Sequence, residues 1–236
     1  MKYPYLPQDK VNVFIADCDI PDCTLIRPPK ISILPKGLCR HADLGICIVS
    51  SKKAVCPPES CAYYEEALSP FGFEIICGKT ALGSNYPKDS AYNVGIVGKK
   101  CFLNKKVCDP LLLDILIGEG YEIIHVNQGY AKCSICPLDE NSFITADKSI
   151  ADAGRKAGME VLLITNEGIL LEGYKNGFWG GCCGLGDKNS LLVNGDISTL
   201  DSKDEIKGFL NAKGIKIQNL KKGEVTDIGS ILPLTT

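Results

Sequence analysis

The chain has 236 residues, with 26 Lys and Arg against 28 Asp and Glu, and 45% hydrophobic residues. A net charge of −2 and a pI near 5.8 leave no basic face for nucleic acid or an anionic membrane. No apolar run approaches the roughly 18 residues of a bilayer-spanning helix, and the opening "MKYPYLPQDK" lacks the apolar core of an export signal. The expectation is a cytoplasmic protein, folded as one domain over residues 1–236.

Residues 10–37, "KVNVFIADCDIPDCTLIRPPKISILPKG", read as two strands joined by a degraded connector. From residue 39 the chain settles into a repeat. "HADLGICIV" and "KAVCP" are predicted strands, "ESCAYYEEAL" a helix opened by Pro57 and Pro58, and "FGFEIICG" a further strand. Unit two repeats the plan with "SAYNVGIV", "CFLN", a helix capped by Asp109 and Pro110, and "GYEIIHV". Unit three gives "YAKCSICP", "SFITA", "SIADAGRKA" and "GMEVLLIT". Unit four gives "GGCCGLG", "SLLVNG", a helix with Ser202 and Glu205 as a capping box, and "GIKIQNL". "VTDIGSILPL" near the C-terminus resembles another first strand.

Each helix ends on a glycine (Gly72, Gly120, Gly158, Gly214), spaced 48, 38 and 56 residues apart. The longer gaps contain the turn-rich segments 78–90 and 166–178. The predicted units are therefore 39–78, 79–127, 128–165 and 178–220, with a fifth made from 225–236 and 10–37. This is an α/β chain of five ββαβ blades whose termini share one blade, a closure that removes exposed sheet edges.

Thirteen cysteines with no export signal read as free thiols, with Cys47, Cys77, Cys101 and Cys136 packed as small hydrophobes. "CSIC" (133–136) has C-x-x-C spacing, but its only companion is the adjacent Cys182–Cys183 pair, and a strand would point i and i+3 to opposite faces. No metal and no cofactor are expected.

A closed ring of five ββαβ units resembles the pentein fold and its guanidino-group-modifying branch, which includes arginine deiminases, dimethylarginine dimethylaminohydrolases and amidinotransferases. "HADLGIC", "NQGYAKCSIC" and "TDIGSILPL" further resemble an uncharacterised clostridial-type family assigned to that fold. The resemblance implies a nucleophilic Cys, a general acid/base His and carboxylates that clamp a planar cation. In this chain the family's H-x-D falls on Tyr130 and Lys132, and its Cys falls on Gly229. An H-x-D instead stands one unit earlier, at His41-Ala42-Asp43.

Stacking the units sets Asp43, Ala91, Lys132 and Gly181 in one row, with Gly45, Asn93, Ser134 and Cys183 two residues on. The expected catalytic set is Cys183 with His41 and Asp43, with Cys182 or Cys133 as the alternative thiol. A thiol near Lys132 and His41 is expected to have a lowered pKa. Lys132, Tyr130, Asn93, Ser134, Cys182 and Trp179, the only Trp, are the expected substrate contacts. Structural roles compete for the same residues: a strand-start hydrogen bond for His41, an Asp43–Lys132 salt bridge, and inert core for Cys183. His125 and Glu172 read as structural and solvated.

The implied function is hydrolysis or transfer of a guanidino or amidino group. The expected substrate is a small polar molecule bearing an amidine, a guanidine or a carboxylate, the last because Lys132 stands where the family keeps Asp. The alternative is a ring without catalysis, binding a small ligand or another protein, as a ribosome-binding initiation factor of this fold does.

Overall fold

In a computed structural model, which describes residues 3–6 and 10–234, the five blades close into a ring. The chain enters with β1 (Val13–Ile15) and β2 (Thr24–Ile26). A single helical turn, α1 (Ala42–Gly45), leads into β3 (Cys47–Ser50), β4 (Lys53–Cys56), α2 (Pro58–Leu68) and β5 (Glu74–Cys77). The second unit holds β6 (Gly95–Val97), β7 (Lys100–Leu103), α3 (Pro110–Gly118) and β8 (Glu122–His125). The third opens on another single turn, α4 (Ala131–Ser134), followed by β9 (Ile135–Asp139), β10 (Ser142–Thr145), α5 (Lys148–Lys156) and β11 (Glu160–Leu163). The fourth holds β12 (Cys183–Asp187), β13 (Ser190–Val193), α6 (Lys203–Ala212) and β14 (Lys216–Asn219), and the chain ends with β15 (Leu232–Pro233).

Every sheet has three strands. In the four repeat units the middle strand pairs antiparallel with the inner strand and parallel with the outer one. The fifth sheet repeats this with strands from both ends of the chain: β1 pairs antiparallel with β15 and parallel with β2. Its connector, residues 16–23, carries no helix. The last two residues of the expected fifth unit, 235–236, lie outside the described residues. Among the described residues, no helix is long and apolar enough to cross a membrane.

The repeated sequence phrase proves to be the outer strand. "EIIC", "EIIH", "EVLL" and "KIQN" are half-exposed, whereas the middle and inner strands are almost wholly buried. The glycine before each phrase has φ between 68° and 81° and meets no neighbouring atom, so backbone conformation and not crowding selects it. Each helix lays one apolar face on its sheet, through Tyr64 and Leu68, Leu112 and Leu116, Ile150 and Ala151, or Ile206 and Leu210.

Several local expectations change. Cys133 sits in the helical turn α4 and Cys136 on β9, so "CSIC" is not one strand. Cys77 is exposed, because it lies on an outer strand. Ser202 makes no cap bond; its Oγ accepts from the Thr165 N–H instead. Asp147 is the cap that was not anticipated, accepting from the Ile150 N–H. His125 ends β8 on the surface, with its Nδ1 accepting from the Lys105 N–H.

Asp109 does more than cap α3. Oδ1 accepts from the Leu112 N–H, while Oδ2 accepts from the Lys79 and Thr80 N–H groups at 2.9 and 2.7 Å, fixing the start of segment 78–90. Asp109→Ala strands three backbone donors and is expected to cost about 2–4 kcal/mol, measured by urea unfolding. A loss below about 1 kcal/mol would show that water replaces the carboxylate freely.

Candidate active site

The inner strands do not begin where the sequence pattern places them. Residues 42–45 and 131–134 are helical turns, and Trp179–Gly181 forms a short 3-10 turn. Alternation of side chains between faces therefore fails at the channel rim. The third residue of each middle strand (Val55, Phe102, Ile144, Leu192) pairs with Cys47, Gly95, Cys136 and Gly184. Counted back from these partners, the row through Asp43, Ala91 and Lys132 continues to Gly180, one residue short of the expected Gly181.

The structure brings His41, Asp43 and Cys133 together. One donor atom from each lies within 4.8 Å of the other two. The Cys133 Sγ–H donates to Asp43 Oδ2 at 3.1 Å. Asn93 clamps the pair: its Nδ2 donates to the Asp43 carbonyl, and its Oδ1 accepts from the Lys132 and Cys133 N–H groups. Asp227, absent from the sequence reading, completes the cluster with Oδ1 at 4.0 Å from His41 Nδ1. It is held by the Phe178 and Gly229 N–H groups at 2.8 and 3.0 Å.

Gly229 has φ 74°, and a Cβ there would meet His41 Cα and Cβ at 2.3 Å. His41 fills the space that a nucleophile at 229 would need. The neighbouring Ser230, at φ 75°, is the junction of the site. Its Oγ accepts from Lys132 Nζ at 2.9 Å and donates to Asp43 Oδ2 at 2.6 Å, with the Gly180 carbonyl at 2.8 Å as the other acceptor in reach. Asp43 and Lys132 are thus joined through Ser230 and not by a direct salt bridge, and the Lys132 ammonium lies over the Tyr5 ring.

A cavity of about 330 Å³ opens onto this cluster. Its deep end is formed by His41, Cys133 and Asp227, and its walls by Leu38, Leu44, Leu171 and the rings of Tyr130 and Phe178. Tyr174, Lys175 and Asn176 from segment 166–178 stand at the more exposed end. The Tyr130 hydroxyl is committed to Asp89 at 2.6 Å, so the ring is what faces the cavity.

Other expected residues lie elsewhere. Cys182 and Cys183 pack in the core between units three and four, their thiols donating to the Phe178 and Trp179 carbonyls, and neither lines the cavity. Trp179 is fully buried in the same cluster and does not line this cavity. The Ser134 hydroxyl donates to the Tyr130 carbonyl, a bond internal to its helical turn. Glu172 pairs with Lys36 on the surface, 2.6 Å apart.

The electrostatics run against the expected thiolate. Burial first, and then the carboxylates of Asp43 and Asp227, push the Cys133 thiol well above its ordinary range. Burial likewise raises Asp227, with His41 opposing the shift and Asp43 adding to it. Burial raises Cys182 and Cys183 too. The cluster sets two carboxylates against one ammonium, and three of its polar atoms are buried with no partner: both His41 nitrogens and Asp43 Oδ1. Unsatisfied atoms of that kind around a cavity mark a place for a ligand. His41, Asp43 and Cys133 also offer the nitrogen, oxygen and sulfur donors that a zinc ion accepts, although the Cys133–Asp43 hydrogen bond already engages two of the three.

Five three-stranded blades with their helices, closed by strands from both ends of the chain, are the pentein fold. Three solved structures share the fold. An inosamine-phosphate amidinotransferase from Streptomyces griseus aligns with 99% of this chain and 96% of its own, at TM-score 0.60 and 13% identity. A dimethylarginine dimethylaminohydrolase from Pseudomonas aeruginosa, solved with citrulline, aligns over 89% and 92% at TM-score 0.55 and 10% identity. A C. jejuni agmatine deiminase with substrate bound aligns over 93% and 90% at TM-score 0.55 and 11% identity. At these identities the likeness is one of fold. The chain belongs to the family of unknown function DUF6873, whose model matches residues 17–232. No curated protein matches it.

Two labelling experiments read the electrostatics. With iodoacetamide, exposed Cys77 is expected to react first, while Cys133 stays slow at pH 7 and accelerates only above about pH 9, as its thiol ionises. Asp43→Asn removes one anion beside the thiol and is expected to move that acceleration to lower pH. Equal rates for Cys133 and Cys77 at pH 7 would overturn the raised pKa.

Proposed function

We propose that the protein is a hydrolase or transferase of amidino or guanidino groups in which Cys133 is the nucleophile, His41 the acid/base, and Asp43 and Asp227 the cation clamp. The observation that carries this reading is the meeting of His41, Cys133 and Asp227 on one cavity with Asp43 hydrogen-bonded behind them. An amidinium is planar and cationic, and two carboxylates are its natural acceptors. Its charge also cancels the anions that hold the Cys133 proton in place, so the ligand itself drives the thiol toward thiolate.

The step balances without a cofactor. Cys133 Sγ gives its proton to Asp43, already its hydrogen-bond acceptor, and bonds to the amidinium carbon. The carbon–nitrogen bond to the departing amine breaks as that nitrogen takes a proton from His41. Water, or an amine in a transferase, then adds to the S-linked carbon with His41 as base, and the carbon–sulfur bond breaks as Sγ takes its proton back from Asp43. Lys132, which stands at the position expected to repel a guanidinium, has its ammonium turned to Ser230 and lines no part of the cavity.

2-Chloroacetamidine tests the assignment, because its amidinium seeks the carboxylates and its carbon traps the sulfur with loss of chloride. Mass spectrometry is expected to find Cys133 modified at pH 7 at least about tenfold faster than by neutral 2-chloroacetamide. His41→Ala and Asp227→Asn are expected to remove most of that advantage. No preference for the cationic reagent would favour the second reading, a ring that binds a ligand without turning it over. The thiol held protonated at rest is the observation behind that reading.

A further inference from the structure

The cavity is asymmetric in charge. Its deep end carries the only carboxylate among its described lining residues, Asp227, with Asp43 bonded to Cys133 behind it. Its walls are hydrocarbon and aromatic ring, formed by Leu38, Leu44, Leu171 and Phe178. At the exposed end the charged group is Lys175, which makes no hydrogen bond or salt bridge among the described residues. Glu172, three residues away, is taken up by Lys36 outside the cavity.

A ligand that fills the cavity meets a buried carboxylate, apolar and aromatic walls, and one exposed cation. A free amino-acid or diamine tail fits poorly, because its ammonium reaches Lys175 with no carboxylate among the described lining residues of that end to receive it. An apolar or ring-bearing body satisfies these walls, where a polar chain would lose water without recovering hydrogen bonds.

Resting on the function proposed above, we propose that the substrate is a monocation: an amidinium or guanidinium borne on an apolar, ring-bearing body whose far end is neutral or anionic. Lys175 is the residue that rejects a second positive charge.

The test is calorimetric titration of the intact protein with three probes: benzamidine, 4-amidinobenzoate and agmatine. The expected order of affinity is 4-amidinobenzoate, then benzamidine, then agmatine. Lys175→Glu, a surface substitution that leaves the melting temperature unchanged, is expected to shift the ratio of amidinobenzoate to agmatine affinity by about tenfold toward agmatine, the scale of two screened charge contacts. Agmatine binding as tightly as benzamidine to the native protein, or a ratio that Lys175→Glu leaves unchanged, would overturn this proposal. Cationic labelling of Cys133 would then still leave the amidine reading of the deep end standing. If none of the three probes binds and the labelling advantage is also missing, both fall together.

Discussion

Asp43 is the constraint on which the ring turns. A buried carboxylate is costly unless its oxygens and its backbone find donors. Here the partners come from across the ring. Asn93 of the second unit holds its carbonyl, Cys133 of the third and Ser230 of the fifth share Oδ2, and the Gly229 carbonyl accepts from its N–H. The fourth unit joins through the Gly180 carbonyl, within reach of the Ser230 hydroxyl. Ser230 occupies the left-handed region, which costs a residue with a Cβ on the order of 1–3 kcal/mol. It persists because Lys132, Asp43 and Gly180 fix its hydroxyl from three sides. Closing the five blades and building the polar cluster are one act.

Legibility in the sequence followed the periodicity. The outer strands and their left-handed glycines repeat because each unit solves the same problem, returning the chain from a helix to the edge of a three-stranded sheet. Ring closure was readable because "SILPL" and "VNVFI" have strand composition at opposite ends of the chain. The channel was not readable by the same rule. Residues 42–45 and 131–134 coil before the strand starts, so a period of two sends attention to Lys132 and Ser134 when the turn presents Cys133. Stacking the units sets Cys183 in the channel row, yet it packs in the core, and the glycines before it serve close packing: a Cβ on Gly181 would stand 2.0 Å from Asp227 Oδ1. That contact, and the place of Asp227 two residues before the Gly229–Ser230 corner, are the traces by which the missing carboxylate could have been found. Neither is periodic.

The charge state of the cluster gives the resting protein its character. A thiol between two carboxylates keeps its proton, and both nitrogens of the neighbouring histidine are without a hydrogen-bond partner. A neutral ligand leaves this arrangement nearly unchanged. A planar cation changes every element of it, supplying the counter-charge that the carboxylates lack and releasing the thiol from their field. In the proposed reaction the thiol is therefore released only by a ligand that supplies that counter-charge.

Chemistry and selectivity also come from different parts of the chain. The deep end is fixed by contributions from all five units, and a change there disturbs ring closure itself. The outer end is furnished largely by segment 166–178, an insertion between the third and fourth units tied to the ring by Lys36–Glu172 and by the parallel bridge of Leu170 to Thr226. Side chains such as Lys175 and Tyr174 are exposed, so they can vary without cost to the core. A scaffold divided in this way can keep its buried polar centre while a few residues of one loop change what the outer end of the cavity presents. The likeness to the amidinotransferase, dimethylaminohydrolase and deiminase structures is therefore a statement about the blades and their closure, and not about what the mouth of this cavity receives.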